Sequence, residues 1–384
     1  MTNRKWYVTL LGLMAIVAML AAACSPAAPS GGEAEAPDAG EEPAGEEEAA
    51  VQGCEGTVVG VSNGFVGSEW RSQMLEDMEE VADELGIQLI IESADVDVQG
   101  QTQQVQNLIN RGVDAIVINP NSQDALNPVL EDAASQGILT IAIDQEVSAE
   151  SVYNVVINQT EWARISARWL ADQIGGEPAD IVIIEGVPGT PGNEMRMDGV
   201  EEVFADHPNI NVVGRDTGNW DQATGQQVMS DFLASIPNID AVWTQDGMAE
   251  GALQAVITAN PDKWPIMVGE ARAGYLQLWN QVKQDRPDFE SVGVVNPPGV
   301  GASALRIICE VRAGGKIDES QLGGTFGNTL YVPIPFVVTD SDWTSESTLT
   351  RPFDEVYEEV ADQPASYTVD GFITQEQAKE FVTR

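Results

Sequence analysis

Apolar positions along this chain alternate between two rhythms. Runs at 115–118 and 139–143 are too short for helices and rich in β-branched residues, which predicts buried parallel strands. Between them, residues 122–136 set Ala125, Val129, Leu130 and Ala133 at helical spacing until Gly137 breaks the pattern. Residues 113–147 are therefore predicted to form one strand-helix-strand unit. Polarity resumes directly after each strand, with Asn119, Pro120 and Asn121 and then Asp144, Gln145 and Glu146. In an open parallel sheet the carboxyl ends of the strands face the crevice where ligands bind, so these residues are the first candidates for a site.

The same alternation extends both ways. Strands are predicted at 57–61, 87–91 and 152–157 and helices at 69–85 and 101–110, which completes one doubly wound α/β lobe. A helix carrying Ala163, Ala167, Leu170 and Ile174 leads into a second series: strands at 181–184, 212–215, 241–243 and 266–269, with helices at 195–205, 222–233 and 249–257. A late strand at 293–295 and a helix at 301–311 suggest that the chain crosses between lobes several times. The run 330–339 holds two prolines, which suits an edge strand or a final crossover. The tail, 353–384, shows two short amphipathic helices.

The N-terminus breaks both rhythms. Arg4 and Lys5 precede an uncharged apolar run to Ala23, so residues 1–23 read as a secretory signal. Residues 25–53 are almost wholly Ser, Pro, Ala, Gly, Glu and Asp, too polar to bury a core, and read as a tether. Two cysteines remain, Cys54 and Cys309. Outside the cytoplasm they can form a disulfide; two buried thiols are the alternative.

Composition narrows the function. With 384 residues, 43% of them hydrophobic, the chain can bury about two domains' worth of core. A net charge of −43 and a pI near 4.1 exclude nucleic acid and anionic membrane surfaces as partners. The single histidine, His207, excludes sites that need two imidazoles, and no metal site is expected. Gly186, Gly189 and Gly192 match neither the dinucleotide fingerprint nor a P-loop, so no cofactor is expected. No activated nucleophile with its base stands out, so the chain is not expected to be an enzyme.

The ordered segments TVVGVSNGFVGSEW, VDAIVINPNS, ILTIAIDQE, VVINQTE, GVPGTPGNEMRMDGV, GNWDQATGQQVMSDFL, IDAVWTQDGMAEGALQA and VGVVNPPGVGA resemble the ribose-type, type I periplasmic sugar-binding proteins of ABC importers. The resemblance runs from about 57 to 315. It implies two Rossmann-like doubly wound lobes joined by a three-crossover hinge. The first lobe would hold 54–157 and about 297–330, the second 158–296 and about 331–384 with a C-terminal extension. It also implies a carbohydrate ligand bound between the lobes of a monomer, and delivery to permease subunits in the membrane. A receptor subunit presenting a sugar or quorum signal to a membrane sensor is the alternative.

Carried onto this sequence, the family's ligand-binding positions fall on Asn63, Phe65, Ser68 and Trp70 after the first strand, and on Asp144 and Gln145 after the fourth. An arginine usual beside that aspartate is missing. The others fall on Asn158, Glu194, Arg196, Gln245, Asp246, Glu270 and Asn296, all near predicted strand ends or crossovers. Separately, Leu20 to Cys24 resembles the lipobox of bacterial lipoproteins, with the leucine one place early. That implies a lipid on Cys24 and an anchor on the outer face of the cell membrane, or in the periplasm; plain cleavage after Ala23 is the alternative.

Overall fold

The computed structural model describes residues 54–67 and 69–384. The predicted signal, Cys24 and the acidic tether lie outside the described residues, as does Ser68.

The first lobe runs β1 (Val58–Asn63), α1 (Glu69–Leu85), β2 (Gln88–Ser93), α2 (Val98–Arg111), β3 (Ala115–Asn119), α3 (Asn127–Ser135), β4 (Leu139–Ile143) and β5 (Tyr153–Val156). These strands are all parallel, in the spatial order β2-β1-β3-β4-β5. Local signals place the helices. Asp97 caps α2 by accepting from the Gly100 amide at 2.9 Å, and Gly112 ends it at φ 70°, a conformation that glycine adopts without cost. The helix expected from 122 starts later, at Asn127, because Pro128 suits a first turn and residues 122–126 form a turn instead. Leu126 rather than Ala125 then completes its buried stripe.

The second lobe runs α4 (Gln159–Ile174), β6 (Ala179–Glu185), α5 (Pro191–Ala205), β7 (Ile210–Thr217), α6 (Gln222–Ser235), β8 (Ala241–Trp243), α7 (Met248–Ala259), β9 (Ile266–Glu270), α8 (Ala273–Asp285) and β10 (Ser291–Val294). Helix α8 was not expected from the sequence, although Tyr275, Leu276, Trp279 and Val282 give it a buried stripe at helical spacing.

The remaining elements are α9 (Val300–Arg312), β11 (Lys316–Ile317), β12 (Thr329–Tyr331), β13 (Phe336–Thr339), β14 (Leu349–Pro352), α10 (Phe353–Val360), α11 (Gln375–Ala378) and β15 (Val382–Thr383). Strand β12 extends the first sheet beside β5, whereas β13 and β14 extend the second, with β13 antiparallel to β10. The run 330–339 is thus a crossover with a strand at each end, and Pro333 and Pro335 occupy the crossing, where no ladder amide is required.

The chain crosses between sheets near Ile157, near Asn296 and at 332–335. A fourth crossing corrects the expectation that the tail stays with the second lobe: after α10 the chain returns, α11 rests on α9, and β15 pairs with β11. The cause is burial, since Ile373, Ala378 and Phe381 bury apolar side chains in the core cluster that holds α9. Helices α1 and α9 pack side by side, and Cys54, ahead of β1, is bonded to Cys309 of α9 with Cα atoms 5.2 Å apart.

Candidate binding cleft

Both lobes end a parallel strand on an aspartate in the left-handed conformation, Asp144 after β4 at φ 63° and Asp246 after β8 at φ 51°. Aspartate tolerates this region better than most residues, and such backbone turns a side chain sharply out of the strand line. The two carboxylates lie close enough to act on each other's charge.

On the first lobe Asp144 accepts from Asn119 Nδ2 at 3.2 Å and lies 3.8 Å from a guanidinium nitrogen of Arg71. Arg71 donates to Asn63 Oδ1 at 2.9 Å, and its guanidinium sits 5.8 Å from the Phe65 ring centroid. Asn63 is held in turn by donating to Ser93 Oγ at 3.0 Å and to the Phe65 carbonyl at 2.9 Å. Burial pushes the Asp144 carboxyl above the usual carboxylate range, and Arg71, Asn119 and Arg196 offset part of that shift. Arg71 is pulled below its ordinary value by the same burial, with Asp144 opposing.

On the second lobe Arg196, only 3% exposed, projects from α5 over the Trp162 ring at 4.3 Å. It donates to Gln159 Oε1 at 2.8 Å, Gln245 Oε1 at 2.7 Å and Asp246 Oδ2 at 2.6 Å. Gln245 Oε1 also accepts from the Trp220 indole at 2.9 Å, and Gln245 Nε2 donates to Asn193 Oδ1 at 3.2 Å. Glu270 ends β9, 1% exposed, with Arg272 Nε 3.2 Å from one of its oxygens. Burial pushes its carboxyl up to about 7, against the pull of Arg272 and with Asp246 and Glu250 adding to the rise. Arg272 moves up because Glu270 favours its charged form. Burial therefore governs the acid of this pair, and attraction governs the base.

The hinge joins the halves. Trp70 donates its indole N–H to the Asn296 carbonyl at 2.9 Å, and Asn296 Nδ2 approaches Asp246 Oδ1 at 3.4 Å. Gln145 lies in a small recess between the lobes together with Gln159, Gly192 and Met195.

Asn63, Asp144, Arg196, Gln245, Asp246, Glu270 and Asn296 of the sequence-derived set are therefore linked around one inter-lobe network, with Trp70 at its hinge end and Phe65 at its rim, 46% exposed. Two residues are not brought in. Asn158 caps α4 by accepting from the Glu161 amide at 3.0 Å, and lines an outer groove of ≈ 430 Å³ beside Tyr331 and Pro333, on the hinge rather than at the strand ends. Glu194 turns back on its own loop, accepting from the Gly189 amide at 2.7 Å, and reaches the network only through a long contact from Asn193 Nδ2 at 3.4 Å. Asn119, a strand-end candidate, and Gln159, expected near the cleft from the hinge segment, also join the network, whereas sequence reasoning missed Arg71, Asn193, Trp220 and Arg272. The one signal available for Arg71 was the unpartnered aspartate: with Gln145 where the family has arginine, a cation had to come from another element.

A family model described as a periplasmic binding protein domain matches residues 59–316. The xylitol-binding protein of Mycolicibacterium smegmatis is 35% identical over 195 residues, covering 50% of this chain and 56% of that protein. The ribose import binding protein of Bacillus subtilis is 30% identical over 206 residues, covering 53% and 67% respectively. The aligned stretch thus spans about half to two thirds of these relatives. Among solved structures, the periplasmic binding protein of the arabinose ABC transporter from Shewanella sp. ANA-3, bound to L-arabinofuranose, superposes with a TM-score of 0.65 at 25% identity, covering 80% of this chain and 96% of that one.

Proposed function

Because the chain belongs to the periplasmic binding protein family and has its type I fold, we propose that it captures a neutral polyhydroxylated molecule, a sugar or polyol, between its lobes and delivers it to the permease of an ABC importer. The observation that carries this reading is the charge balance of the cleft. Asp144, Asp246 and Glu270 each have an arginine beside them, Arg71, Arg196 and Arg272, so none of the three pairs offers an uncompensated charge to a charged ligand, whereas hydroxyls both donate to the carboxylates and accept from the guanidinium groups. Charge-assisted bonds of this kind contribute about 1.5 to 3 kcal/mol each. The Trp70 or Phe65 ring supplies the apolar plane for the C–H face of a sugar.

Ligand contacts come from both lobes, so the lobes close about the hinge crossovers, and the ligand shifts that equilibrium by contacting both sides only in the closed form. Binding is the whole of the function, and no bond is made or broken. The working location is outside the cytoplasm, with Cys24 as lipid anchor and 25–53 as tether. The Cys54–Cys309 bond supports an oxidising compartment. One chain carries both halves of the site, so a monomer suffices.

A thermal-shift screen against pentoses, hexoses and polyols tests the reading. A ligand at about a hundred times its Kd adds ~2.7 kcal/mol of stability, and the radius of gyration falls on binding. A flat response across the whole panel, or a response confined to charged ligands, overturns it.

A further inference from the structure

Beyond the family-matched stretch, which ends at residue 316, the segment 365–374 is bonded to both lobes within a few residues. Towards the second lobe, the Ala273 amide donates to the Tyr367 carbonyl at 2.8 Å, the Gly274 amide to the Ala365 carbonyl at 3.0 Å, and the Val369 amide to the Ala271 carbonyl at 2.8 Å. Towards the first lobe, Gln73 of α1 grips the Thr368 backbone from both sides, accepting from its amide at 3.0 Å and donating to its carbonyl at 2.9 Å. Asp370 then accepts from the Gly299 amide at 2.9 Å at the start of α9, the Ile373 amide donates to Ser303 Oγ at 3.2 Å, and the Arg306 guanidinium lies 5.6 Å from the Phe372 ring centroid. Residues 367–370 thus hold both lobes with no slack, since one residue spans at most about 3.6 Å.

The segment also lies next to moving parts. Ala271 and Ala273 directly follow Glu270 of the cleft, and Gly299 follows the crossover at Asn296. Opening the lobes must therefore break one of the two sets of bonds. Asp77, one helical turn beyond Gln73, faces Asp370, and its Oδ2 is buried with no donor. Two facing carboxyl groups bond only when one carries a proton. Glu76 and Glu80 of α1 add negative charge around Asp77, and Tyr367 of the strap feels Asp370, Asp77 and Glu359 of α10. Burial pushes the Asp370 carboxyl up, and the Gly299 and Gly371 amides oppose that rise.

We propose that residues 365–374 form a fourth, breakable hinge strand, latched to the first lobe by a proton shared between Asp77 and Asp370, whose release sets how far the lobes open. This rests on the hinge-closure reading above. Burial, then repulsion from Asp370, pushes the Asp77 carboxyl up to about 8, so the docked strap holds a proton that a released strap gives up. A raised folded-state value means that the stabilisation is complete at acid pH and is lost as pH rises towards and through about 8.

Hydrogen exchange on the full, ligand-free protein, corrected for intrinsic rates, tests the latch. Protection of the Thr368, Val369 and Ile373 amides should fall about tenfold per pH unit between about pH 6 and 8. Asp77→Asn, which donates without titrating, should keep the strap protected at alkaline pH. Gln73→Ala should loosen it at every pH. The ligand-free radius of gyration should follow the same order, growing in the wild type with pH and not in Asp77→Asn. Strap protection that ignores pH, an Asp77→Asn protein that tracks the wild type, or strap release with no change in radius each overturns the proposal. If added sugar compacts no variant, the hinge-closure reading fails instead, and the exchange result decides the latch separately.

Discussion

Asp144 takes its bonds from three elements: Asn119 at the end of β3, Arg71 in the first turns of α1, and the charge of Arg196 across the cleft. Removing the carboxylate takes away an acceptor and leaves Arg71 buried without its counter-charge, so Asp144→Ala should weaken ligand binding roughly tenfold to a hundredfold by titration calorimetry. Unchanged affinity would move the site elsewhere. Glu270 carries a different consequence. Its carboxyl rises from 4.5 to about 7 on folding, so its contribution to stability is full below about 4.5 and disappears as pH climbs through 7. Glu270→Gln should accordingly flatten the pH dependence of Tm over that window, and a variant that keeps the wild-type slope would assign the titration to another group. Asp144 and Glu270 were legible from their places at strand ends. Arg71 was not, because nothing near it in α1 says that the aspartate it serves follows β4.

Elements meet closely where glycines allow it. Helices α6 and α7 approach until a Cβ at Gly251 would overlap the Gln222 carbonyl oxygen, and one at Gly225 would press on the Met248 backbone at 2.8 Å. Backbone cannot yield as a side chain can, so Gly251→Ala should cost about 1 to 3 kcal/mol in urea denaturation. A neutral result would show that the helices slide apart freely. The Cys54–Cys309 bond ties the chain ahead of β1 to α9. Replacing both cysteines by serine should cost about 2 to 5 kcal/mol, and non-reducing peptide mapping should recover the two as one cross-linked species. Two alkylatable thiols would refute the bond. At this scale the sequence misplaced the start of α3, where Pro128 and not the first apolar residue sets the boundary, and passed over α8, although Tyr275, Leu276, Trp279 and Val282 stand at helical spacing.

For the whole molecule, the proposed lipid anchor on Cys24 has a direct test. Labelled fatty acid should enter the wild type and not Cys24→Ser, and that variant should be shed into the medium; label in the variant would end the lipoprotein reading. Two lobes of one alternating pattern, with three crossovers, agree with the order of the predicted strands. The fourth crossing does not follow from it, since α11 and β15 are too short to advertise a partner and the tail reads only as two short amphipathic helices.

Strand identity, the order of the lobes and the faces on which polar residues gather were written locally, because periodicity and strand-end polarity need only neighbouring residues to be read. Which cation answers which carboxylate, that Asn158 and Glu194 are occupied by a cap and a loop, and that the tail comes back to α9 depended on packing between segments far apart in the chain. Those contacts are set by sheet register, helix approach and burial of a few apolar side chains such as Ile373 and Phe381, none of which leaves a repeating mark on the amino-acid order.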